Sequence, residues 1–257
     1  MWWSLICWSA VMGAEATAVS VVVPAYQEEV SIVRALQRLL AVLDGSKRPY
    51  EVIVVSDGST DATAKLARSV DSPMLQVLEY EENCGKGHAL RTGFAHARHP
   101  FVAFIDGDLD LDPVVLPGYL DSIESGLADV VIGSKIHPDS NVNYPLFRRM
   151  ASRVFRLATR VLIGLNLGDT QTGVKAMRRE AVAESIENCT ASGFAFDLEF
   201  LARLSDRRVK VLEAPVVLEY EFTSTVDVGS ILEALRDLLI VAHHRRSGRR
   251  RPWGGRS

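Results

Sequence analysis

Two hydrophobic periodicities alternate along this chain. Short runs of β-branched and other apolar residues predict buried strands, and the longer segments between them repeat apolar residues every three or four positions, as amphipathic helices do. The predicted strands are 20–23, ended by Pro24, then 52–55, 74–78 and 101–105, and the predicted helices are 30–43, 60–70 and 87–97. Alternating strands and helices indicate crossover connections, so we expect an α/β fold with a mostly parallel sheet flanked by helices.

Length and composition favour one large domain over two small ones. The chain has 257 residues, of which 47% are hydrophobic, and this is enough to bury a sizeable core. We divide it into an apolar N-terminal segment (1–18), an α/β domain (19–225), an amphipathic helix at the membrane interface (226–246) and a basic, disordered tail (247–257).

The N-terminal segment and the cysteines bear on location. Residues 1–14 are apolar, but they are too few to span a bilayer comfortably and lack the basic start of a secretory signal. Two interpretations stay open: a disordered start, or an interfacial anchor built on Trp2, Trp3 and Trp8. The three cysteines show no disulfide spacing, so we expect a reduced protein on the cytosolic side.

Polar residues follow each of the first four predicted strands. Ligands of open α/β sheets bind beyond the carboxyl ends of the strands, so these segments are the first candidates for chemistry. They are PAYQEE (24–29), SDGSTDAT (56–63), NCGKGHA (83–89) and DGDLDLDP (106–113). The third resembles a phosphate-binding turn but lacks the full spacing of a Walker A loop, so it is weak by itself.

The fourth segment carries three alternating carboxylates, Asp106, Asp108 and Asp110, directly after a buried strand. Three such close negative charges repel one another unless a cation lies among them, and hard oxygen ligands suit Mg2+ or Mn2+. An ordinary solvated acidic loop is the alternative. A calcium-binding helix–loop–helix is less favoured because its closing glutamate is missing.

Several motifs, taken in order, resemble those of family 2 inverting glycosyltransferases with a GT-A-type nucleotide-sugar-binding fold. The resemblance is strongest to the polyprenyl-phosphate glycosyltransferases, which include the dolichyl-phosphate β-glucosyltransferases and, more distantly, the dolichyl-phosphate mannose synthases. It covers residues 20–244. The motifs are VVVPAYQEE, VVSDGSTDAT, NCGKGHALRTGF, FIDGDLD, GSKIH (133–137), DTQTGVK (169–175), GFAFDLEFL (193–201) and EAPVVL (213–218).

The resemblance assigns roles to residues of the first half. It implies that the base and ribose of a nucleotide-sugar donor are framed by a set of four residues, and that Lys86 lies near the nucleotide. The set is Pro24, Tyr26, Glu28 and Asp57. Asp106 and Asp108 form the DXD pair that binds the metal and donor, and Asp110 is a third candidate ligand. Gln27 replaces the asparagine common in the first motif.

The second half is expected to handle the acceptor. A lipid monophosphate, with a second pKa near ~6, is already an oxyanion at neutral pH, so it needs positioning by cations more than a general base. The candidate cations are Lys135, Arg148, Arg149 and Lys175. Asp169 has two possible roles: it orients Lys175 or an arginine, or it acts as base if the acceptor is a hydroxyl. Asp197 and Glu199 are taken as structural partners of these cations.

Two basic, amphipathic segments suggest attachment to a membrane. In one, Arg149, Arg153, Arg156 and Arg160 repeat at helical spacing beside an apolar stripe of Met150, Val154, Leu157 and Val161. In the other, the apolar face of helix 226–246 runs into six arginines within 243–257. No segment has the roughly 20 apolar residues of a spanning helix, so we expect peripheral attachment to the cytoplasmic face. A solvated basic face on an ordinary helix is the alternative reading.

Three functions remain open from the sequence. The first is inverting transfer of a hexose from a nucleotide sugar to a polyprenyl or dolichyl phosphate; UDP-glucose is favoured as donor, with UDP-linked N-acetylated hexoses and GDP-mannose as alternatives. The second is transfer to a soluble acceptor, and the third is a non-catalytic nucleotide-binding scaffold. Nucleic-acid binding is not expected, because no recognition motif accompanies the arginines. A membrane-protein partner is a further possible anchor.

Overall fold

The computed structural model of the chain describes residues 17–108, 110–140, 156–165, 167–191, 193, 195–218, 236, 238–242 and 245. The strands are β1 (Val19–Ala25), β2 (Tyr50–Asp57), β3 (Leu75–Tyr80), β4 (Phe101–Phe104), β5 (Val130–Ser134), β6 (Lys175–Arg178) and β7 (Val211–Pro215). The helices are α1 (Ile32–Gly45), α2 (Thr63–Arg68), α3 (Lys86–His96), α4 (Leu116–Glu124), α5 (Arg179–Glu187) and α6 (Ala195–Asp206), with a 3-10 turn at Pro113–Val115.

The strands form one seven-stranded sheet in the order β3-β2-β1-β4-β6-β5-β7. Every neighbouring pair is parallel except those made by β6, which runs antiparallel to β4 and β5. The predicted α/β class and mostly parallel sheet are therefore confirmed. Because β1 to β4 are parallel, their carboxyl ends meet at one edge of the sheet, and the four polar segments collect there.

Alternate residues of the central strands bury against opposite layers. Val22 and Ile53 join the core formed with α3, α5 and α6, whereas Val21 and Val52 join the core formed with α1 and α4. All four side chains are fully buried. Strands covered by helices on both faces need a continuous apolar run, which is the pattern that the first half of the sequence shows.

The prediction that Pro24 ends the first strand is wrong, because the predicted strand 20–23 stops two residues before the observed end. β1 continues to Ala25, which pairs with Ser56 of β2, while β4 pairs with β1 only as far as Val22 and Phe104. The backbone nitrogen of Pro24 lies on the open β4 side, beyond the end of that pairing. Its missing N–H therefore removes no bond from the sheet.

The terminal segments are described only in part. Of the predicted helix 226–246, residues 238–242 are helical. Leu238, Val241 and Ala242 bury in the core on the α3, α5 and α6 side, whereas Leu239 is exposed. Within the described ranges, no helix has the length and apolar character needed to cross a membrane. Residues 1–16 lie outside these ranges, and the domain boundaries stay predictions.

Candidate functional site

The loop after β1 is fastened to the loop after β2. Gln27 has a left-handed backbone with a φ of 57°, and its side-chain amide donates to Thr60 Oγ1 at 2.9 Å. Its carbonyl oxygen accepts from the amides of Thr60 and Asp61. Glu28 N also donates to Thr63 Oγ1 at 2.7 Å. The side chain of Gln27 thus connects the two loops. Tyr26 lies beside them and is 48% exposed.

Asp57 ends β2 with its carboxylate almost fully buried, at 3% exposure. Tyr80 Oη donates to Asp57 Oδ1 at 2.7 Å, and the Cys84 amide donates to the same oxygen at 2.8 Å. Among the described residues, both hydrogen bonds to this carboxylate end on Oδ1, which leaves Oδ2 for a ligand. Burial, followed by the bond to Asp57, raises the pKa of Tyr80 far above its ordinary value, so Tyr80 remains a donor.

Gly58 allows this packing of the β2 loop on the loop after β3. Its φ is 66°, and a Cβ at this position would lie 2.3 Å from the backbone nitrogen of Asn83. Only glycine tolerates both the left-handed conformation and that approach. The turn therefore holds the Asp57 carboxylate within reach of Tyr80 and Cys84.

Lys86 and Asp106 form the most direct contact between two of the predicted site residues. Lys86 is the first residue of α3 and Asp106 follows β4; the lysine Nζ lies 2.6 Å from Oδ1 and 2.8 Å from Oδ2 of the carboxylate. Burial by itself would raise the pKa of Asp106, but Lys86, Lys175 and Lys135 lower it more. Asp106 is therefore a stable anion held on one side by Lys86.

The three aspartates of the DXD segment differ in their surroundings. Asp108 lies open at the mouth of the cleft, where partial loss of water and the negative charges of Asp106, Asp110 and Glu28 raise its pKa to about 6. Its Oδ1 accepts from the Asp110 amide at 3.0 Å. In the part of the chain that the structure describes, no three acidic, histidine or cysteine side chains converge as a metal cage.

That Asp106, Asp108 and Asp110 together hold the ion stays a prediction. Lys86 covers both oxygens of Asp106, and Asp108 turns one oxygen to the backbone of Asp110. The carboxylates of Asp106 and Asp108 are hard oxygen ligands that suit Mg2+ or Mn2+, because these ions take their remaining ligands from substrate phosphates and water.

Lys175 is buried in the second half of the sheet and does not reach the surface. Its side chain is 2% exposed, and its Nζ lies 2.9 Å from Asp197 Oδ1 and donates to Thr172 O at 2.5 Å. Gly173, two residues earlier, packs on the DXD segment so closely that a Cβ would lie 2.0 Å from Asp106 Oδ2. The DTQTGVK segment thus contacts the DXD segment through Gly173, while the side chain of Lys175 is buried.

Asp169 organises backbone and is not the partner of Lys175. Its Oδ2 accepts from the Lys135 amide at 3.1 Å and its Oδ1 from the Gln171 amide at 3.3 Å. Glu213 Oε1 in turn accepts from the amides of Gly168 and Asp169, at 2.9 and 3.1 Å. These bonds connect β5, the Asp169 loop and β7, and they place Lys135 and Asp169 together.

Some site residues were missed and others cannot be placed. Tyr80, Gly173 and Glu213 were not among the sequence candidates. Tyr80 is the last residue of β3, Gly173 lies inside the DTQTGVK motif, and Glu213 begins the EAPVVL motif in the middle of β7. Asp197 pairs with Lys175, one of the candidate cations, as predicted. Glu199 instead pairs with Arg203 at 2.7 Å, which was not among those cations. Arg148 and Arg149 lie outside the described residues.

The described part of the chain forms a mostly parallel mixed sheet flanked by helices, a fold of the GT-A type. Its fold is similar to that of glucosyl-3-phosphoglycerate synthase from Mycobacterium tuberculosis, solved with Mn2+ and UDP-glucose. The TM-score is 0.67 at 22% identity, over 88% of this chain and 79% of that one. The same synthase has also been solved with Mg2+ and UDP.

The chain belongs to glycosyl transferase family 2, whose sequence profile matches residues 20–186. It is 30% identical over 243 residues to the dolichyl-phosphate beta-glucosyltransferase of Drosophila melanogaster, across 86% of this chain and 73% of the relative. It is also 30% identical over 230 residues to glycosyltransferase AglD of Haloferax volcanii, across 88% of this chain but only 36% of that longer protein. The protein is therefore a glycosyltransferase.

Proposed function

We propose that this glycosyltransferase moves glucose from UDP-glucose to a polyprenyl phosphate, with inversion at the anomeric carbon. The names of the dolichyl-phosphate beta-glucosyltransferase relatives support nucleotide-sugar transfer to this class of lipid. The observation that carries the donor assignment is the Asp57 carboxylate, buried with one oxygen saturated and the other available.

The geometry of Asp57 suits a uracil base. Uracil carries one N–H between two carbonyls, and an anionic acceptor at the end of β2 can accept from this N–H. Cytosine has no proton on the equivalent nitrogen, so the same carboxylate disfavours it. The exposed ring of Tyr26 is available to stack on the base. Pro24 and Glu28 complete the predicted frame around base and ribose.

Asp106 and Asp108 are the residues that would hold Mg2+ or Mn2+ together with the donor diphosphate. Bound there, the ion supplies Lewis-acid stabilisation of the charge that develops on the leaving nucleotide. Lys86 lies against Asp106, where its ammonium adds a second positive charge near the same phosphates. Asp110 is left as an outer residue that fixes the conformation of Asp108 through its amide.

The reaction needs no general base when the acceptor is a phosphate monoester. An oxygen of the lipid phosphate forms the new bond to the anomeric carbon from the face opposite the leaving group, and the bond to the UDP oxygen breaks with its electron pair. We assign positioning of the acceptor phosphate to Lys135, Arg148 and Arg149. Lys175 is withdrawn from direct acceptor contact because its side chain is buried against Asp197. Asp169 keeps a positioning role through the Lys135 backbone.

Membrane attachment is proposed as peripheral and on the cytoplasmic face. In the helical segment 156–162, Leu157 and Val161 are 63% and 70% exposed, and the exposed Arg160 lies next to Val161 in the chain. Exposed apolar side chains beside a basic residue suit the headgroup layer of an anionic bilayer. Sedimentation with anionic vesicles tests this: replacing Arg153, Arg156 and Arg160 by glutamate should weaken binding. Equal binding of wild type and variant at every salt concentration would remove these arginines from the attachment.

One assay tests the proposed function as a whole. Purified protein is given polyprenyl phosphate and Mg2+ with UDP-glucose, UDP-N-acetylhexosamines and GDP-mannose in parallel, and sugar in the organic phase is counted. We expect the largest transfer from UDP-glucose. Transfer from GDP-mannose alone would overturn the donor assignment, and transfer only to a soluble hydroxyl acceptor would overturn the acceptor assignment.

A further inference from the structure

The loop after β1, residues 26–31, leaves the sheet at the point where the base is proposed to bind. Ala25 is the last residue of β1 and pairs with Ser56, one residue before Asp57 ends β2. Tyr26 follows directly and is 48% exposed. Asp57 is thus held by the sheet, whereas Tyr26 stands on a loop beyond it. Strand pairing by itself therefore does not fix the position of Tyr26 relative to Asp57.

Gln27, the next residue, joins this loop to the loop after β2. Its backbone amide donates to Ser59 Oγ at 3.2 Å, and its side-chain amide donates to Thr60 Oγ1 at 2.9 Å. Its side-chain oxygen accepts from the backbone amides of Thr60 and Asp61, at 3.3 and 3.2 Å. All these bonds end on residues that closely follow Asp57 in the chain, so the side chain of Gln27 spans from one loop of the proposed base site to the other.

The backbone of Gln27 adopts a conformation that glutamine rarely takes. Its φ of 57° lies in the left-handed region, which residues other than glycine adopt at a cost. Gln27 is exposed, so burial of its side chain does not offset this cost. A strained residue persists where its surroundings hold it in place, and here its hydrogen-bond partners belong to the loop after β2. The strain and the bonds together indicate that Gln27 serves the junction between the two loops.

A further contact joins the same loops on the α1 side of Gln27. Glu28 N donates to Thr63 Oγ1, the second residue after Asp61, at 2.7 Å. This bond uses the backbone of Glu28, so it does not depend on the side chain of Gln27. Loss of that side chain should therefore free the part of the loop next to Tyr26 while the start of α1 stays attached.

We propose that Gln27 is a positioning residue of the donor site: its side chain fastens the β1 loop to the β2 loop and so holds the ring of Tyr26 where it and the Asp57 carboxylate contact the same base. The inference rests on the proposed function, in which Tyr26 stacks on uracil and Asp57 accepts from it. A group that is held in place before the ligand arrives need not be ordered on binding, so the link raises UDP affinity without touching the nucleotide.

A double-mutant cycle tests whether Gln27 acts through Tyr26. Gln27→Gly removes the side-chain bonds and accepts the left-handed backbone, so the protein should fold and bind UDP about tenfold more weakly. Tyr26→Ala removes the ring itself and should weaken binding at least as much. The double variant should stay within about threefold of Tyr26→Ala, because no ring remains to be positioned. Calorimetric titration with UDP and Mg2+ measures each affinity, and circular dichroism checks folding.

Two more variants serve as controls. Gln27→Ala also removes the side-chain bonds but keeps the backbone strain, so its UDP affinity should match that of Gln27→Gly. Glu51 lies near the start of β2, at the opposite end of that strand from Asp57. It makes a comparable link, accepting from Ser20 Oγ at 2.6 Å and from Arg98 N at 2.9 Å. Glu51→Ala should lower stability and leave UDP affinity unchanged.

The outcomes separate the link from the donor site itself. No UDP binding by wild type, or wild-type affinity in Tyr26→Ala, would overturn the proposed base site and the inference with it. Wild-type affinity in Gln27→Gly, or additive losses in the double variant, would overturn only the role of Gln27. A larger loss in Gln27→Ala than in Gln27→Gly would assign the effect to backbone strain and contradict the side-chain link. An equal loss in Glu51→Ala would make Gln27 a general contributor to stability and contradict it as well.

Discussion

The two halves of the cleft use charge differently. In the half that we assign to the donor, the hydrogen bonds that Asp57 and Asp108 accept from described residues end on Oδ1. In the half that we assign to the acceptor, Lys175 is buried against Asp197, and Asp169 accepts from the backbone amide of Lys135. Charged residues at the ends of parallel strands therefore indicate ligand binding more directly than charged residues that are buried inside the sheet.

The largest expected effect comes from the donor half. Asp108→Asn keeps the shape of the side chain but removes an anionic ligand for the metal, so transfer should fall on the order of 10³-fold. The folded structure should survive, because the native environment already disfavours the charged form of Asp108. Initial rates with saturating Mg2+ measure the effect. Asp110→Asn is the control and should lose much less; equal losses would make Asp110 an equal ligand.

The next effect compares Lys175, which is buried, with Lys135, which we assign to the acceptor phosphate. Lys175→Ala leaves Asp197 buried and unpaired, so the free energy of unfolding should fall by about 3–5 kcal/mol. Lys135→Ala should leave stability nearly unchanged and raise the KM for the lipid phosphate about tenfold. Denaturant unfolding and acceptor titrations separate the two. A stable Lys175→Ala protein with a raised acceptor KM would return Lys175 to the acceptor site.

A smaller effect tests how firmly Asp57 is held. Tyr80→Phe removes one of the two donors to Asp57 Oδ1 and should weaken UDP binding about tenfold, with the acceptor KM unchanged. Calorimetric titration with UDP measures it. Tyr50→Phe is the control, because Tyr50 Oη donates to Asp44 at 2.6 Å, outside the set of site residues. Equal UDP affinity in wild type and Tyr80→Phe would separate Asp57 from the base.

The smallest effect concerns an ion pair outside both halves. Hydrogen bonds from Arg48 and from Thr17 lower the pKa of Glu124 from 4.5 to about 2. Because the pKa of Glu124 is lower in the folded state than in the unfolded state, its ionised carboxylate stabilises the fold above the unfolded-state pKa. This contribution to the free energy of unfolding is complete above pH 4.5 and is lost as the pH falls towards 2. Glu124→Gln should cost about 1 kcal/mol at pH 7 and nothing near pH 2, with transfer unchanged. An equal loss of unfolding free energy at pH 7 and near pH 2 would show that ionisation of Glu124 does not stabilise the fold.

Much of the fold was predictable because the chain order is simple. Buried parallel strands require continuous apolar runs, and the four predicted strands and three predicted helices of the first half match β1 to β4 and α1 to α3 within a few residues. Pro24 was misread because periodicity does not reveal which side of a strand lacks a neighbour. The antiparallel orientation of β6 could not be predicted from periodicity either, since it depends on contacts between residues far apart in sequence.

The site was predictable where function lies at strand ends and less so where charge is buried. Asp106 was selected from its position after a buried strand, whereas Asp57 and Lys86 were assigned by the family resemblance. The structure brings Lys86 and Asp106 into contact. Lys175 was assigned to the acceptor because a lysine inside a motif suggests a ligand, but its partner is Asp197, twenty-two residues later in the chain. Such pairings require the packing of α6 on the sheet, which local patterns do not encode.

The central claim is metal-dependent transfer from UDP-glucose to a lipid phosphate at the Asp57 and DXD cleft. The most direct measurement is incorporation of radiolabelled glucose from UDP-glucose into polyprenyl phosphate, with Mg2+, with excess chelator, and with chelator followed by Mn2+. We predict labelled lipid with Mg2+, its loss in chelator and its return with Mn2+. Undiminished labelling in excess chelator, or no labelled lipid under any of these conditions, would contradict the account.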